Sequence, residues 1–370
     1  MLVINGNFLT EPLMGVQRYA FEILKRVHED WDGEELVLAV PGILPADSSV
    51  TGLHLSGNLT DAKMAADRVE AVIASMFPKF RVERFGDCNG KRWEQFELGP
   101  FLRKHRAKGI HLCNTVPVLH PEGLVVVHDI SFKTHPEFFT QKGDWHEILF
   151  RRLMYSRVFK KAEQVLTISQ AAKDEILSCY RPKCSDIRIA GDGWEHFKEI
   201  KEDESALEKF GLASGSYYYC LASLAKNKNL HWIIDNARKY PENRYCLSGR
   251  PLGENFENLP ANVIFTGFVT DGEAACLMRH SKAFLFPSTY EGFGIPPMEA
   301  LSRGAKVILS DIPVLREIYG QSVVYCNPKD SDVNLNQLSE QNVRPASEVL
   351  DAHTWEQSAK VVADAMKQLS

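Results

Sequence analysis

The chain has 370 residues, 44% hydrophobic and 25% charged, enough to fill two globular units at roughly 150 residues each. Glycine (24) and proline (18) are ordinary and aromatics reach 10%, which excludes disordered, collagen-like and low-complexity classes. Lys and Arg number 43 against 48 Asp and Glu, a formal charge of -5, without the basic excess of a nucleic-acid binder.

Met1-Leu-Val-Ile-Asn-Gly reads as a first strand and lacks the basic and small-residue flanks of a secretory signal. No apolar run approaches the roughly 20 residues that cross a bilayer. The cysteines at 88, 113, 179, 184, 220, 246, 276 and 326 form no C-x-x-C pair, and most lie in apolar runs. They read as reduced thiols of a cytoplasmic protein.

Short aliphatic or β-branched runs alternate with longer segments of helical period, the pattern of parallel sheets covered by helices. The first series predicts strands at 2–5, 36–40, 110–113, 124–128, 164–168 and 186–190. Val16, Tyr19, Ala20, Ile23, Leu24 and Val27 share one face of a first helix, and further helices are expected over about 145–161 and 170–178. Between Gly191 and Gly211 the run Lys198-Glu-Ile-Lys-Glu-Asp-Glu-Ser lacks a core face and reads as a linker. It separates an N-terminal domain, 1–196, from a C-terminal domain, 197–354.

The second series predicts strands at 217–222, 245–248, 263–266, 283–286, 306–310 and 323–326, with helices over 229–239, 272–280 and from near Pro297. The last stretch, 355–370, places Ala359, Val362, Ala363 and Met366 on one face and is expected to cross back onto the first domain. The fold class is α/β, two doubly wound Rossmann-like domains facing each other, with ligands at the carboxyl ends of the strands in the cleft between them.

The segment Phe286-Pro-Ser-Thr-Tyr-Glu-Gly-Phe-Gly-Ile-Pro-Pro-Met-Glu-Ala-Leu carries the most chemistry. A strand ends, Gly292 and Gly294 let backbone approach a ligand, and the prolines mark a helix start that offers N–H groups and partial positive charge to an anion. Glu291 and Glu299 flank that cradle, with Glu299 expected in the first helical turn. Carboxylates beside an anion site suit a ligand that is part phosphate and part polyol, a nucleotide sugar. A polar-loop Glu291 and a dipole-complementing Glu299 would be the plainer explanation, and the strand-loop-helix context argues against it.

This segment resembles the E-x7-E signature of the family-4 retaining glycosyltransferases, which have the GT-B fold. Gly15-Val-Gln-Arg-Tyr, Val127-His128-Asp129, Thr167-Ile-Ser169, Gly193-Trp194, Leu224-Ala-Lys-Asn-Lys228-Asn229 and Asn262-Val-Ile-Phe-Thr-Gly267 resemble further segments of that family. The resemblance implies that Lys228 contacts the donor diphosphate, as does the loop Gly292, Phe293, Gly294 and Ile295. It implies that Glu291 holds sugar hydroxyls, Glu299 ribose hydroxyls and His128 the transferred sugar, with Glu291 and His128 as the catalytic residues. Gly15 would let the donor approach the first domain, and Gly249, Arg250 and Val269 would contact the base. Many members carry a second diphosphate-binding arginine where this chain has Ala222 or Ser223, so Ser223 can contribute only a neutral donor contact. Asp30-Trp-Asp32 and Asp330-Ser-Asp332 read as solvated turns; neither a metal nor a cofactor is expected.

The activity implied is transfer, with retention and without metal, of a hexose from a nucleoside-diphosphate sugar, GDP-mannose by preference. The acceptor would be a glycan or polyprenyl-linked glycan of surface polysaccharide or lipopolysaccharide. Nine basic residues against four acidic ones over 79–108, and Arg151, Arg152, Arg157, Lys160 and Lys161 without an intervening acid, suggest peripheral contact with the inner face of the cytoplasmic membrane. The competing readings are a silent nucleotide-sugar-binding subunit, favoured by the missing arginine, and an epimerase or phosphorylase of the same fold. Lys228, Glu291 and Glu299 together favour transfer.

Overall fold

The computed structural model describes residues 1–43, 70–139, 143–184, 186–221, 225–249 and 259–369. It divides into two compact units, Met1–Gly191 with Trp355–Ser370, and Asp192–Thr354.

The first unit is built on seven parallel strands: β1 (Leu2–Asn5), β2 (Leu36–Pro41), β3 (Arg81–Phe85), β4 (Lys108–His111), β5 (Gly123–Val127), β6 (Gln164–Thr167) and β7 (Arg188–Ile189). They lie in the order β3-β2-β1-β4-β5-β6-β7. Leu2 pairs with Leu36 on one side and with Lys108 on the other. β1, β2 and β5 are buried along their whole length, as strands covered on both faces must be. β3 was not expected: Arg81-Val-Glu-Arg-Phe is an edge strand, half exposed, and its charges mask the strand pattern.

Helix α1 (Gly15–Asp30) buries Tyr19, Ala20, Ile23, Leu24 and Val27, the face that the helical spacing singles out. The helices α2 (Asp144–Lys161) and α3 (Gln170–Cys179) flank β6. Ser169 caps α3 by accepting from the Ala172 N–H.

The second unit holds a six-stranded parallel sheet: β8 (Tyr218–Leu221), β9 (Tyr245–Ser248), β10 (Val263–Gly267), β11 (Ala283–Phe286), β12 (Val307–Ser310) and β13 (Val324–Cys326). The order is β10-β9-β8-β11-β12-β13. The helices packed about it include α4 (Leu230–Lys239), α5 (Asp271–His280), α6 (Ile295–Ser302) and α7 (Pro313–Tyr319). Thr270 and Glu273 form a reciprocal capping box at the start of α5. Cys220, Cys246, Cys276 and Cys326 are buried free thiols, while the other four are half-buried.

The units divide after Gly191, five residues before the expected boundary at 196. The cause is local packing. Trp194 Nε1 donates to the Leu350 carbonyl, and the Arg303 guanidinium stacks 4.8 Å from the Phe197 ring and donates to the Phe197 and Ile200 carbonyls. Phe197 and Ala206 are buried, so this charged stretch is packed against the second unit and is no free linker.

The chain returns to the first unit in α8 (Trp355–Lys367), which lies on α1. Trp355 is fully buried with its ring edge-on to Tyr19 at 5.9 Å, and Lys367 pairs with Asp32 at 2.7 Å. Removing a buried indole costs about 3–5 kcal/mol. Trp355→Ala therefore lowers the unfolding free energy of the first unit by that order, measured by urea denaturation; an unchanged midpoint would contradict the packing role.

Candidate functional site

In a doubly wound sheet the loops leaving the carboxyl edge diverge where the strand order reverses, and a crevice opens there. In the second unit the reversal lies between β8 and β11. The loop after β8 carries Lys226-Asn-Lys-Asn229, and the loop after β11 carries the Glu-Gly-Phe-Gly turn.

Two asparagines lock these loops together. Asn229 sits at φ +54, a left-handed conformation that asparagine tolerates better than most residues. Its Nδ2 donates to the carbonyls of Pro287 (3.0 Å) and Pro328 (2.9 Å). Asn227 Nδ2 donates to the Tyr290 carbonyl at 3.1 Å, and the Thr289 N–H donates to the Asn227 carbonyl at 2.8 Å. Held between them, Lys228 places Nζ 2.7 Å from Glu291 Oε1 and 5.2 Å from the centre of the Phe286 ring. Both partners are largely buried, with side-chain exposures of 21% and 10%.

Gly294 caps α6 at φ +101, where any side chain is strained and a Cβ would lie 3.1 Å from Leu315 Cδ2. Pro296 and Pro297 fall in the first turn, where their missing N–H groups cost no helical bond. Because α6 starts at Ile295, Glu299 lies in the second turn, one turn later than the sequence suggests. The cap is set by the positive φ of Gly294 and not by the prolines. Glu299 is thus too far along to complement the helix N-terminus. Its Oε1 instead accepts from His196 Nε2 at 2.9 Å, and the histidine side chain is 2% exposed.

Beneath this surface Tyr319 donates its hydroxyl to the Gly294 carbonyl. Burial, and then the carboxyls of Asp192, Glu299 and Glu291, hold that hydroxyl well above its ordinary pKa. Asp192 is buried, its Oδ1 has no hydrogen-bond partner among the described residues, and burial raises its pKa to about 8.

The remaining sequence-derived positions divide. Phe293 is buried edge-on to the His353 ring at 5.5 Å, and Gly292 and Ile295 are half-buried in the same turn. Gly249 follows β9 and donates its N–H to the Gly267 carbonyl at 2.9 Å, while Val269 is buried just beyond β10. They lie on the β9–β10 side of β8, away from β11. Ser223 and Arg250 lie outside the described residues.

Gly15 and His128 belong to the first unit, whose strand order reverses between β1 and β4. Gly15 is exposed at the start of α1 with open space where a side chain would stand. His128 is only 4% exposed; its ring meets Tyr19 edge-on at 4.7 Å, and its backbone N–H donates to Asn114 Oδ1. Nε2 lies 2.9 Å from the Leu112 carbonyl, which can only accept, so Nε2 carries a proton. Burial lowers the His128 pKa, which favours the neutral ring with its lone pair on Nδ1.

Sequence reasoning missed His196, Asp192 and a buried group beside β1 and β4. There Glu94 Oε1 accepts from Asn5 Nδ2 (2.9 Å) and Thr115 Oγ1 (2.6 Å), and burial raises the Glu94 pKa to about 7. Asn5 and His111 at the carboxyl ends of adjoining strands were the available signal. Among the described residues no group of three His, Cys, Asp or Glu is placed to hold a metal ion.

Residues 203–340 match the family model described as Glycosyl transferases group 1. The match lies within the second unit, and the chain has the two Rossmann-like units of the GT-B fold. Over 227 residues the chain is 30% identical to the O-antigen chain mannosyltransferase RfbU of Salmonella typhimurium, a match covering 59% of this chain and 60% of that relative's length. It is 24% identical to O-antigen chain mannosyltransferase B of Escherichia coli over 88% of this chain and 87% of the relative. Among solved structures, a sucrose-phosphate synthase from Thermosynechococcus elongatus superposes with a TM-score of 0.67 at 14% identity, covering 100% of this chain and 98% of its own.

Asp192 gives the site a measurable pH signature. Its pKa rises from 3.8 to about 8 on folding, so below 3.8 the carboxyl is protonated in folded and unfolded chains alike. Between those values the unfolded chain releases a proton that the folded chain keeps, and stability falls as pH rises through the window. Asp192→Asn removes that slope: thermal melts from pH 4 to 8 should diverge, with the variant the more stable toward pH 8. Parallel curves would contradict the assignment.

Proposed function

We propose that the chain is a retaining, metal-independent glycosyltransferase that moves a hexose from a nucleoside-diphosphate sugar to a glycan or polyprenyl-linked glycan of a surface polysaccharide. The observation that carries this reading is the Lys228–Glu291 pair at the β8/β11 reversal, followed along the chain by Glu299 in the second turn of α6. A cation and two carboxylates around a glycine turn match a ligand whose diphosphate is anionic and whose two ends are polyols. The mannosyltransferase relatives favour a mannosyl donor, and the nucleotide proposed for it is GDP.

Lys228 and the start of α6 take the diphosphate and stabilise the charge that develops as it leaves. Glu291, released from Lys228, accepts hydroxyls of the transferred sugar. Glu299, oriented by His196, accepts the ribose hydroxyls, and the base lies toward Gly249, Arg250 and Val269. The neutral His128 offers the Nδ1 lone pair to a sugar hydroxyl and orients it without acting as a base. The acceptor oxygen attacks the anomeric carbon on the face from which the phosphate departs. The bond to the phosphate oxygen breaks, that oxygen takes the acceptor's proton, and configuration is retained.

Calorimetric titration with GDP, UDP and dTDP tests the reading. One nucleotide should bind selectively. Hydrogen bonds to a charged group are worth about 1.5–3 kcal/mol, so Glu299→Ala should weaken that nucleotide roughly 10- to 150-fold. Lys228→Ala should weaken the diphosphate and leave the corresponding nucleoside unaffected. A folded chain that binds none of the three would overturn the proposal.

A further inference from the structure

The outer face of α2 is apolar where a helix of a free-standing soluble unit would be polar. Trp145, Leu149 and Leu153 recur at four-residue spacing and are 61%, 60% and 53% exposed. Neighbouring segments extend the face. Lys91 Nζ lies 2.5 Å from Glu147 Oε2, which sets Gly90–Leu98 beside α2, and that segment turns Arg92 and Phe96 outward, the phenylalanine 71% exposed. Gln95 donates to the Val116 carbonyl and accepts from the Val118 N–H, holding beside it a loop whose Leu119 is 64% exposed. Single exposed apolar residues need no cause, but several on adjoining segments mark a binding surface.

The charges around the face select the partner. Arg152 and Lys160 are exposed on the same side of α2. The only acids of α2 are Asp144 and Glu147 in its first turn, and Glu147 is taken by Lys91 and by Arg151 at 2.7 Å. From Ile148 to Lys161 there are five basic residues and no acid. A tryptophan and leucines rimmed by arginine and lysine match the boundary between acyl chains and anionic headgroups, where indole rings settle and each basic residue adds attraction. No helix among the described residues is long and apolar enough to cross a membrane.

We propose that the first unit docks on an anionic lipid bilayer through this face, with Trp145, Leu149 and Leu153 entering the interface and Arg92, Arg152 and Lys160 meeting the headgroups. The proposal deepens the reading of a polyprenyl-linked acceptor and rests on it only for the reason such docking is useful; the surface itself stands on its own residues.

The test is co-sedimentation of the full chain with vesicles of phosphatidylcholine alone and with about one quarter phosphatidylglycerol. The chain should pellet with the anionic vesicles, less so as salt rises, and weakly with phosphatidylcholine alone. The combined Trp145→Ser, Leu149→Ser and Leu153→Ser variant should lose at least roughly tenfold in partition, as should Arg152→Glu with Lys160→Glu. These side chains are exposed, and an unchanged thermal melt checks that the fold is intact. The proposal is overturned if the wild type stays in the supernatant or if the serine variant pellets equally. It is also overturned if sedimentation velocity shows a dimer that the serine changes dissociate, which would make the face a contact between copies. Nucleotide titration of the same preparations separates this outcome from a failure of the donor reading.

Discussion

The second unit is organised around one ion pair. Lys228 and Glu291 come from loops 63 residues apart and meet at 2.7 Å where the sheet reverses its order. Neither is free in water, and each partly buried charge would be costly without the other. The rest of the site supports that meeting: Asn227 and Asn229 tie the lysine loop to the glutamate loop, and Gly294 turns the chain into α6. The pair also sets the terms for any anion that enters. A diphosphate must compete with Glu291 for Lys228, and in doing so it frees a carboxylate for a neighbouring polyol. In the proposed reaction, therefore, the diphosphate and the transferred sugar of one donor are recognised by separating one contact.

Glu299 and the first unit show a similar economy. Glu299 does not wait in solvent, since a buried histidine already holds one of its oxygens. In the first unit a line of rings, Trp355 against Tyr19 and Tyr19 against His128, joins the returning C-terminal helix to the end of β5. Packing and the Leu112 carbonyl fix the His128 ring and its tautomer together. A ring so held suits the orienting role proposed for it better than proton transfer, which would require a charge in a dry place.

What could be read in advance was what is local in the chain. Twelve of the thirteen strands begin and end within two residues of the aliphatic runs that announce them, and α1 buries the face its spacing marks. Lys228, Glu291 and the glycine turn were legible because they lie in short motifs whose flanking residues define the strand-loop-helix context. The partners of those residues were not. His196 meets Glu299 across 103 residues and Asn5 meets Glu94 across 89; nothing near His196 signals its encounter, and Asn5 with His111 at two strand ends marks a polar spot without naming Glu94. Charge misled the reading twice, at β3, where an edge strand keeps its arginines in solvent, and after Gly191, where Phe197 and Ala206 anchor a charged stretch. On α2 the basic residues drew attention first, and only the fold separates the exposed tryptophan and leucines from the buried Met154, Tyr155, Val158 and Phe159.

The account turns on the site at β8 and β11, and a crystal structure of the chain with a bound nucleoside-diphosphate sugar tests it most directly. It predicts the diphosphate at the start of α6 with Lys228 Nζ moved from Glu291 to a phosphate oxygen, and the ribose hydroxyls on Glu299. A nucleotide bound elsewhere, or one that leaves the Lys228–Glu291 pair closed, would contradict it.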